Sequence, residues 1–371
     1  MTRIVMFGSF SPYQISLANS LAKEFEVMLI LTDNSIEDET RNLISSRVRI
    51  SVLGKGKAML RPANLGAWLP VFDDVKAFEP EIAHLQMGGD FSDYLGWQFL
   101  RRYPVVSTFH DVETHVGEES RLMTPFIRFF RDRIRSNSDA IIVHGAFLRE
   151  KMIREYNVPG DRVYSIPMGQ SYLSAFRLSE DETPEEVGRT ILFFGRIFVY
   201  KGLEYLIRAE PLVSERFPDI KIVIAGKGEN FQKYHDMMGS RSSRFVIDNR
   251  HLPSDEAANL FRQCCLVVLP YIEGSQSAVI MDAYAFKKPV VVTSVGSLPE
   301  VVEDGKTGLV VPARDSKALA EAIIRLLGDA QLRRDMGEKG YHKLMTEQNW
   351  DVAAEKTGRV YADILKKQSS G

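Results

Sequence analysis

The chain has 371 residues, of which 44% are hydrophobic and 26% are charged, and its formal net charge is −2. Its length predicts two domains of roughly 170–190 residues, and its composition is that of a globular protein that dissolves in water. A charge so close to zero gives no global basic field for nucleic acid. No apolar run approaches the roughly 20 residues that span a bilayer.

Two further features favour a cytoplasmic protein. The amino terminus enters a predicted strand at once and has no signal-peptide pattern. Cys264 and Cys265 are adjacent in an apolar run, which predicts two thiols in the core, as expected in a reducing compartment.

Short runs rich in valine, isoleucine and leucine alternate with helical patterns over the first half of the chain. This alternation is typical of parallel sheets that are covered on both faces. A helix is predicted at Gln14–Lys23. Strands are predicted at Ile4–Phe7, Glu26–Leu31, Val48–Leu53, Ile82–Leu85, Val105–Phe109, Ala140–Val143 and Val163–Ile166.

Loops at the carboxyl ends of these strands are candidate ligand sites, because ligands of open α/β sheets bind at that edge. Gly8 and Ser9 belong to a small-residue loop after the first strand. His110 directly follows Val105–Phe109 and can hydrogen-bond a substrate, although a lone histidine is more often structural. His84, at the end of another strand, is a second candidate.

Phenylalanine and arginine recur at helical spacing between Met123 and Arg135. Such a helix either docks on anionic lipid or on a lipid-linked acceptor, or it buries its phenylalanine and isoleucine side chains and exposes its arginines to solvent. The second arrangement is the more common one in globular proteins.

A linker is predicted between Ser179 and Arg189, where Glu, Asp, Thr, Pro and Gly occur together without periodicity. Beyond it the alternation begins again, with helices at Gly202–Phe217 and Ser254–Gln263 and several more from Ser316 onwards. The predicted strands are Thr190–Phe194, Lys221–Ala225, Arg244–Ile247, Leu266–Leu269, Val290–Thr293 and Gly308–Val311. Two doubly wound domains in tandem are expected to bind a ligand in the cleft between the carboxyl ends of their strands.

Arg196 and Lys201 lie between a predicted strand and the helix that begins near Gly202. Two cations in such a loop can neutralise a diphosphate together, and they would stabilise the charge that develops on a departing nucleoside diphosphate. The alternative is that both are loop charges exposed to solvent.

Gly226 and Gly228 form a Gly-x-Gly turn after the strand Lys221–Ala225. The third glycine of the dinucleotide-binding fingerprint is missing. The pattern therefore fits a phosphate-binding loop and a tight turn that closes a strand equally well.

The segment from Pro270 to Val292 contains the most informative functional pattern. An apolar strand ends at its start, a short acidic loop of small residues opens a helix, and a second apolar strand follows. A loop of Gly and Ser before a helix presents free backbone N–H groups to a phosphate. Asp282, inside the helix, can accept hydrogen bonds from sugar or ribose hydroxyl groups. Sugar plus phosphate predicts a nucleotide-sugar pocket.

The order of these motifs resembles the retaining nucleotide-sugar glycosyltransferases of family four, which have the GT-B fold. The resemblance covers nearly the whole chain. Its N-terminal half is similar in Gly8, Thr108–Asp111 and Asn137–Val143. Its C-terminal half is similar in Gly195-Arg196, Lys201-Gly202, Ala225–Gly228, Pro270–Pro289 and Val295–Glu300.

The resemblance implies roles for individual residues. Arg196 and Lys201 would hold the donor diphosphate, and His110 would touch the transferred sugar. The backbone N–H groups that would also contact the diphosphate are those of Ser277, Ala278 and Val279.

This sequence departs from the family pattern in two places. Where the family commonly has two glutamates, the second position is Asp282, and the first is Gly274 with Glu273 beside it. Which of Glu273 and Gly274 fills the first acidic position stays open. Many members also have Pro-His-Gly where this chain has Pro167-Met168-Gly169.

For fold and reaction, the resemblance implies an α/β protein of GT-B type, with two doubly wound, Rossmann-like parallel-sheet domains that face a cleft. The chain would be a hexosyltransferase of polysaccharide biosynthesis. It would move a sugar from a UDP- or GDP-sugar to a hydroxyl group of a glycan or lipid-linked acceptor. The anomeric configuration of the sugar would be retained, and neither a metal nor a cofactor would be needed. Its expected location is the cytoplasm, either free or in peripheral contact with the inner membrane face.

The expected domains are an acceptor-side domain at 1–178, a linker at 179–189 and a donor domain at 190–354. A last helix is predicted from Trp350 to about Leu365, and its part at about 355–371 is expected to cross back to the first domain. The residues predicted to share its apolar side are Trp350, Ala353, Val360, Tyr361 and Leu365.

Three alternatives stay open. A nucleotide-sugar 2-epimerase of the same architecture would release a free epimerised sugar nucleotide without an acceptor. A two-domain sugar-binding protein would close on its ligand without chemistry. A nicotinamide dehydrogenase would need the glycine fingerprint that this chain lacks. The donor base, the sugar, the acceptor, the linkage and the oligomeric state are not determined by these motifs.

Overall fold

The computed structural model describes residues 1–8, 11–32, 42–53, 66, 68–87, 91–112, 124–171, 173, 176–228 and 231–369 of the chain. These residues form two compact units. Unit 1 contains the described residues within 1–112, 124–168 and 349–369, and unit 2 contains those within 169–348. The boundaries expected at 178 and 354 lie ten and six residues further along the chain than the ends of these ranges at 168 and 348.

Unit 1 is built on a parallel sheet. Its described strands are β1 (Arg3–Gly8), β2 (Glu26–Thr32), β3 (Val48–Leu53), β4 (Ile82–Met87), β5 (Val105–Phe109), β6 (Ala140–Val143) and β7 (Val163–Ser165). They hydrogen-bond in the order β3-β2-β1-β4-β5-β6-β7, and every neighbouring pair is parallel. The order reverses between β1 and β4, which are neighbours in the sheet but not along the chain.

Unit 2 is built on a second parallel sheet. Its described strands are β8 (Arg189–Phe194), β9 (Ile220–Ala225), β10 (Phe245–Asp248), β11 (Leu266–Leu269), β12 (Val290–Thr293) and β13 (Gly308–Val311). Their order is β10-β9-β8-β11-β12-β13, again with parallel neighbours throughout. Here the order reverses between β8 and β11.

Helices alternate with these strands along the chain. In the part that the structure describes they are α1 (Ser11–Leu21), α2 (Leu69–Phe78), α3 (Phe91–Leu100), α4 (Thr124–Asn137), α5 (Ala146–Arg154), α6 (Leu203–Arg216), α7 (Gln232–Met238), α8 (Ser254–Gln263), α9 (Ala278–Ala285), α10 (Leu298–Val301), α11 (Ser316–Gly328), α12 (Ala330–Glu347) and α13 (Trp350–Ser369). The predicted doubly wound α/β fold is confirmed. The largest differences are at element ends, where hydrogen bonding frays.

Side chains of unit 2 alternate between two core layers. Ile191 and Phe193 of β8 lie in one apolar cluster, whereas Leu192 lies in the other, as the two-residue period of a strand requires. Cys265 and Cys264 are divided between the same two layers, and both are free and buried. The prediction of core thiols is therefore confirmed.

Residues 179–188, predicted as a linker, contain neither helix nor strand and are anchored on unit 2. Lys287 Nζ donates hydrogen bonds to the carbonyl oxygens of Glu180 and Glu182. Arg333 forms an ion pair with Glu186. The segment is thus held against unit 2 by side chains that come from later in the chain.

Helix α13 belongs to unit 1, although it is the last element of the chain. Tyr361 is fully buried there, and its hydroxyl group lies 2.6 Å from His84 Nδ1. Ile364 is buried and Leu365 only half-buried, so the prediction that placed Leu365 on the apolar side is wrong at that residue. The helix therefore contributes core side chains to a sheet formed far earlier in the sequence. No helix of the described residues is both long and apolar enough to cross a membrane.

Helix α4 departs from the common arrangement of such helices at four positions. Phe126 and Phe129 are 60% and 54% exposed, whereas Arg131 and Arg135 are buried. The interpretation in which this helix buries its aromatic side chains and exposes its arginines is therefore wrong at these four positions. The physical reason lies in the loop after β5, whose carbonyl oxygens accept hydrogen bonds from both buried guanidinium groups.

Candidate functional site

In unit 2, the two loops that carry predicted site residues meet where the strand order reverses. Residues 195–202 follow β8, and residues 270–277 follow β11. Ligands of open α/β sheets bind in the crevice that forms at such a switch point. The Ile272 N–H donates to the Tyr200 carbonyl oxygen (2.8 Å) and ties the two loops together.

Lys201 is the central cation of this crevice. It is buried, and its Nζ donates a hydrogen bond to the Tyr271 hydroxyl group at 2.9 Å. That hydroxyl group lies 3.0 Å from Ser277 Oγ, at the residue that precedes α9. Among the described residues, no carboxylate lies within 4.0 Å of Lys201 Nζ. A buried ammonium group without a counter-charge is costly, and an anionic ligand would compensate it.

The start of α9 lies close to this ammonium group. A Cβ atom built on Gly195 would be 3.2 Å from Lys201 Nζ and 3.7 Å from a methyl group of Val279. The N–H groups in the first turn of a helix have no partner within the helix, and they attract anions. The ammonium group and the start of α9 therefore lie beside the same part of the crevice, and each of them favours negative charge.

Arg196 differs from Lys201 in its surroundings. Its side chain is exposed, and its guanidinium carbon lies 5.1 Å from the centre of the Phe198 ring. The alternative of a solvent-exposed loop charge thus describes Arg196 but not Lys201. The two cations share one loop, with Lys201 buried beneath it and Arg196 at its surface.

Gly226 and Gly228 are explained by packing between neighbouring loops. Gly226 has a φ of +132°, and a Cβ atom there would lie 2.2 Å from the Gly195 carbonyl oxygen. A Cβ atom on Gly228 would lie 2.3 Å from the Ile197 side chain. These contacts favour the tight-turn interpretation, and a phosphate contact by either glycine stays a prediction.

Glu273 and Gly274 occupy the region of the first acidic position. Gly274 has a φ of +150°, a backbone conformation that other residues rarely adopt. Glu273 is half-buried in the same loop. A glutamate at 274 would need a different backbone, and the role of Glu273 in the first acidic position stays a prediction.

Asp282 lies in α9, which is buried on nearly all sides, and is 3% exposed. Ser171 Oγ donates a hydrogen bond to its Oδ1 at 2.5 Å. Burial raises the pKa of Asp282 to about 7, and the hydrogen bonds from Ser171 oppose that rise. A ribose hydroxyl group would have to share this carboxylate with Ser171.

Changing Asp282 to Asn should alter how stability depends on pH. The folded-state pKa of about 7 lies above the ordinary value of 3.8 for an aspartate, so the folded state holds the proton more tightly than the unfolded state does. The free energy of unfolding therefore falls as pH rises between these values. Asn keeps an acceptor for Ser171 and cannot ionise. The variant should therefore gain stability relative to wild type from pH 4 to pH 7, by at most about 4 kcal/mol.

Urea unfolding of wild type and Asp282→Asn at pH 4.5 and pH 7.5 measures this gain. Ser171→Ala is the matched control, because it removes the hydrogen bond and keeps the ionisable carboxyl group. A stability difference between wild type and Asp282→Asn that is equal at the two pH values would contradict the raised pKa.

In unit 1, the predicted site residues follow β1 and β5. Gly8 ends β1, and a Cβ atom there would lie 2.0 Å from the Gln86 carbonyl oxygen of the neighbouring strand. Ser9 lies outside the described residues. His110 is 7% exposed, and both its ring nitrogens have partners: Nε2 lies 2.8 Å from Gln86 Oε1, and Nδ1 lies 3.0 Å from His144 Nε2.

The loop that carries His110 is fixed by α4. Arg131 donates to the Asp111 carbonyl oxygen, and Arg135 donates to the Val112 carbonyl oxygen at 3.3 Å. The Arg135 guanidinium group also lies 3.6 Å from the centre of the Tyr156 ring. The loop of His110 is thus held by two buried arginines of α4.

The histidines of this region are neutral. Burial lowers the pKa of His84 and of His110 to about 3, and it also lowers the pKa of His144. His84 is fully buried, with Tyr361 Oη at 2.6 Å and Thr108 Oγ1 at 2.7 Å. His84 therefore forms part of the support behind His110.

Two residues of these sites were missed by sequence reasoning. His144 directly follows β6, just as His110 follows β5, so the same strand-end rule would have found it. Tyr271 follows Pro270 in the loop after β11, and no spacing in the sequence pairs it with Lys201. Among the described residues, no group of three His, Cys, Asp or Glu side chains is arranged to hold a metal ion.

Two family models match the chain. The model for glycosyltransferase family 4 matches residues 13–170, and the model for glycosyl transferases group 1 matches residues 188–329. Between them they include most of the chain and every described strand except β1.

Curated relatives match over most of their length. A D-inositol 3-phosphate glycosyltransferase of Corynebacterium aurimucosum is 26% identical over 390 residues, which cover 96% of this chain and 91% of the relative. A phosphatidyl-myo-inositol mannosyltransferase of Mycobacterium leprae is 30% identical over 306 residues, which cover 80% of this chain and 75% of the relative.

A solved structure of HepE from Anabaena in complex with UDP-glucose superimposes with a TM-score of 0.69. The superposition covers 100% of both chains at 16% sequence identity. Together with the two parallel sheets, this likeness confirms the expected GT-B fold.

Proposed function

The chain belongs to the family-4 glycosyltransferases, and we propose that it transfers a sugar, with retention of configuration, from a UDP- or GDP-sugar to a hydroxyl group of a glycan or lipid-linked acceptor. The observation that carries this proposal is the buried Lys201 ammonium group. It has a phenol as its hydrogen-bond partner and, within the described residues, no carboxylate in reach. The β-phosphate of a nucleoside diphosphate at the start of α9 would supply the missing charge.

The proposed reaction uses this site to stabilise the leaving group. As the bond between the sugar and the diphosphate breaks, negative charge grows on the departing oxygen. Lys201, Arg196 and the first-turn N–H groups of α9 would meet that charge, and donors held in place in advance stabilise it without reorganisation. The acceptor oxygen bonds to the sugar on the face that the diphosphate leaves, and the leaving phosphate takes the hydroxyl proton. The transfer therefore needs no protein nucleophile, metal or cofactor.

The sugar and the ribose are assigned to the remaining predicted residues. We assign the transferred sugar to His110 and to the half-buried carboxylate of Glu273. The ribose is assigned to Asp282, which would share its carboxylate between Ser171 and a ribose hydroxyl group. The names of the two relatives include inositol 3-phosphate and phosphatidyl-myo-inositol. Both compounds carry hydroxyl groups and the second also carries a lipid anchor, which supports an acceptor of this kind.

Thermal-shift measurements with UDP, GDP and ADP test the donor side. One nucleoside diphosphate should raise the melting temperature, since a ligand at 100 times its Kd stabilises the folded state by about 2.7 kcal/mol. Lys201→Met keeps most of the side-chain volume and removes the charge, so that variant should lose the shift. No shift with any of the three nucleotides would contradict the proposed donor. Turnover of a sugar nucleotide without an acceptor would instead identify the 2-epimerase alternative.

The exposed face of α4 supports a peripheral membrane contact. Phe126 and Phe129 are largely exposed on this face, and Arg128 and Arg133 are exposed beside them. Aromatic rings that enter the headgroup layer and arginines that meet anionic lipid are typical of helices that lie on a membrane. We propose that this face binds an anionic bilayer, where a lipid-linked acceptor would be located.

Co-sedimentation with phosphatidylglycerol vesicles tests this contact. The double variant Phe126→Ala, Phe129→Ala should weaken binding at least tenfold, because burial of one Phe contributes about 1.5–3 kcal/mol. Leu69→Ala is the matched control, since Leu69 is 60% exposed on α2. Equal binding by the double variant and wild type, or equal binding to phosphatidylcholine vesicles, would contradict the contact.

A further inference from the structure

Four groups form a hydrogen-bonded row along the carboxyl ends of β4, β5, β6 and β7. Gln86 is in β4, His110 follows β5, His144 follows β6, and the carbonyl group of Ile166 follows β7. His144 Nδ1 lies 2.9 Å from the Ile166 carbonyl oxygen, and His144 Nε2 lies 3.0 Å from His110 Nδ1. The three side chains are all buried. The row therefore crosses four adjacent strands without a gap.

The carbonyl group at one end determines where the protons lie. A carbonyl oxygen can only accept, so His144 must carry a proton on Nδ1. A neutral His144 then has a lone pair on Nε2, and the proton of the next hydrogen bond belongs to His110 Nδ1. A neutral His110 has its own lone pair on Nε2, which faces Gln86.

Gln86 must then present its amide NH2 group to His110. In the structure its Oε1 lies 2.8 Å from His110 Nε2 and its Nε2 lies 3.3 Å from His84 Nε2. In this orientation two acceptors, Gln86 Oε1 and the lone pair on His110 Nε2, would face each other. An extra proton on the pair of His110 and His144 would remove the conflict, but burial opposes it by lowering the pKa of both histidines. Turning the amide by half a rotation exchanges two groups of the same shape and resolves the conflict.

The turned Gln86 amide is also compatible with the hydrogen bonds of His84. With Oε1 towards His84, the Nε2 of His84 becomes the donor to Gln86 and Thr108. His84 Nδ1 then accepts from the Tyr361 hydroxyl group at 2.6 Å. Each of these hydrogen bonds, from Tyr361 to Ile166, then joins a donor to an acceptor.

We propose that His144 is a positioning residue which, through the Ile166 carbonyl group, fixes His110 as the tautomer with its proton on Nδ1. His110 Nε2 is consequently a hydrogen-bond acceptor. Where His110 contacts the transferred sugar, a point that rests on the proposed function, a sugar hydroxyl group donates to Nε2 in place of the Gln86 amide. The transfer reaction takes place between the sugar nucleotide and the hydroxyl group of the acceptor substrate, and His144 acts only through His110.

Two-bond 1H–15N spectra of the full chain labelled with 15N-histidine test this at neutral pH, because they distinguish the two tautomers and the imidazolium ion. The wild type should show His110 with a proton on Nδ1 and an unprotonated Nε2. His144→Phe removes the acceptor, so His110 should change to the Nε2-protonated tautomer and donate to Gln86. His144→Gln can donate to Ile166 and accept from His110, and it should keep the wild-type tautomer. His110→Gln identifies the His110 signals by their loss.

Kinetics on the same preparations give a second readout. His144→Phe should lower kcat on the order of tenfold, the effect of one neutral hydrogen bond, with unchanged nucleoside diphosphate affinity, and His144→Gln should restore most of the rate. An Nε2-protonated His110 in the wild type, or an unchanged tautomer in a folded His144→Phe variant, would overturn the proposal. Wild type with the expected tautomer but without transfer from any donor would overturn the proposed function and leave the tautomer assignment standing.

Discussion

Arg196→Ala and Lys201→Ala should each lower turnover by roughly 10²–10³, the effect of removing one group that stabilises developing charge. Lys201 is the buried cation between Tyr271 and α9, and Arg196 is the exposed cation of the same loop. The double variant should lose less than the product of the two single losses, because both groups act on one diphosphate. Steady-state kinetics with the preferred donor give all three values.

Two controls separate charge from packing. Lys201→Met should be as slow as Lys201→Ala, because it keeps the volume of the buried side chain and lacks the ammonium group. Arg208→Ala removes an exposed cation of α6 that pairs with Glu204, and it should leave the rate nearly unchanged. Near-normal rates in both Arg196→Ala and Lys201→Ala would remove this pair of cations from the mechanism.

A chain that ends at residue 349 should fail to form a stable unit 1. The truncation removes α13, whose buried side chains include Trp350, Tyr361 and Ile364. It also removes the hydroxyl group that bonds His84 behind His110. Each large apolar side chain contributes about 1.5–3 kcal/mol on burial, so the sum is comparable with the whole stability of a domain, about 5–15 kcal/mol. Circular dichroism and thermal unfolding measure the loss.

A shorter truncation is the matched control. A chain that ends at residue 366 keeps every buried residue of α13 and loses the exposed ion pair between Lys367 and Asp161. Exposed pairs contribute at most about 1 kcal/mol, so this chain should unfold almost as wild type does. A folded and active chain ending at residue 349 would contradict the structural role given to α13.

The sheets could be predicted from the sequence because their strands are buried on both faces. Strands such as Val105–Phe109 and Leu266–Leu269 are buried throughout, and both were predicted with the bounds that the structure shows. Parallel strands need crossover connections, which are usually helices, so the alternation of strands and helices along the chain could also be predicted. The loops after β5 and β8 were identified because ligand sites of such sheets lie at the carboxyl ends of strands.

Side-chain environments could not be predicted in the same way. The burial of Lys201 depends on Tyr271, which lies in the loop after β11, a strand that is adjacent to β8 in the sheet and distant from it in the sequence. The inward arginines of α4 depend on carbonyl groups of the loop after β5. Local periodicity contains no information about either contact. The same holds for Asp282, whose raised pKa follows from burial on α9 beside Ser171.

The stereochemistry of an acceptor-dependent transfer tests the central claim most directly. The protein is incubated with UDP- and GDP-sugars and a panel of glycan and lipid-linked acceptors, and the anomeric configuration of the product is read from its NMR coupling constants. Release of nucleoside diphosphate that depends on the acceptor, with a product of the same anomeric configuration as the donor, is the expected result. A product of inverted configuration, or no acceptor-dependent release with any donor, would contradict the account.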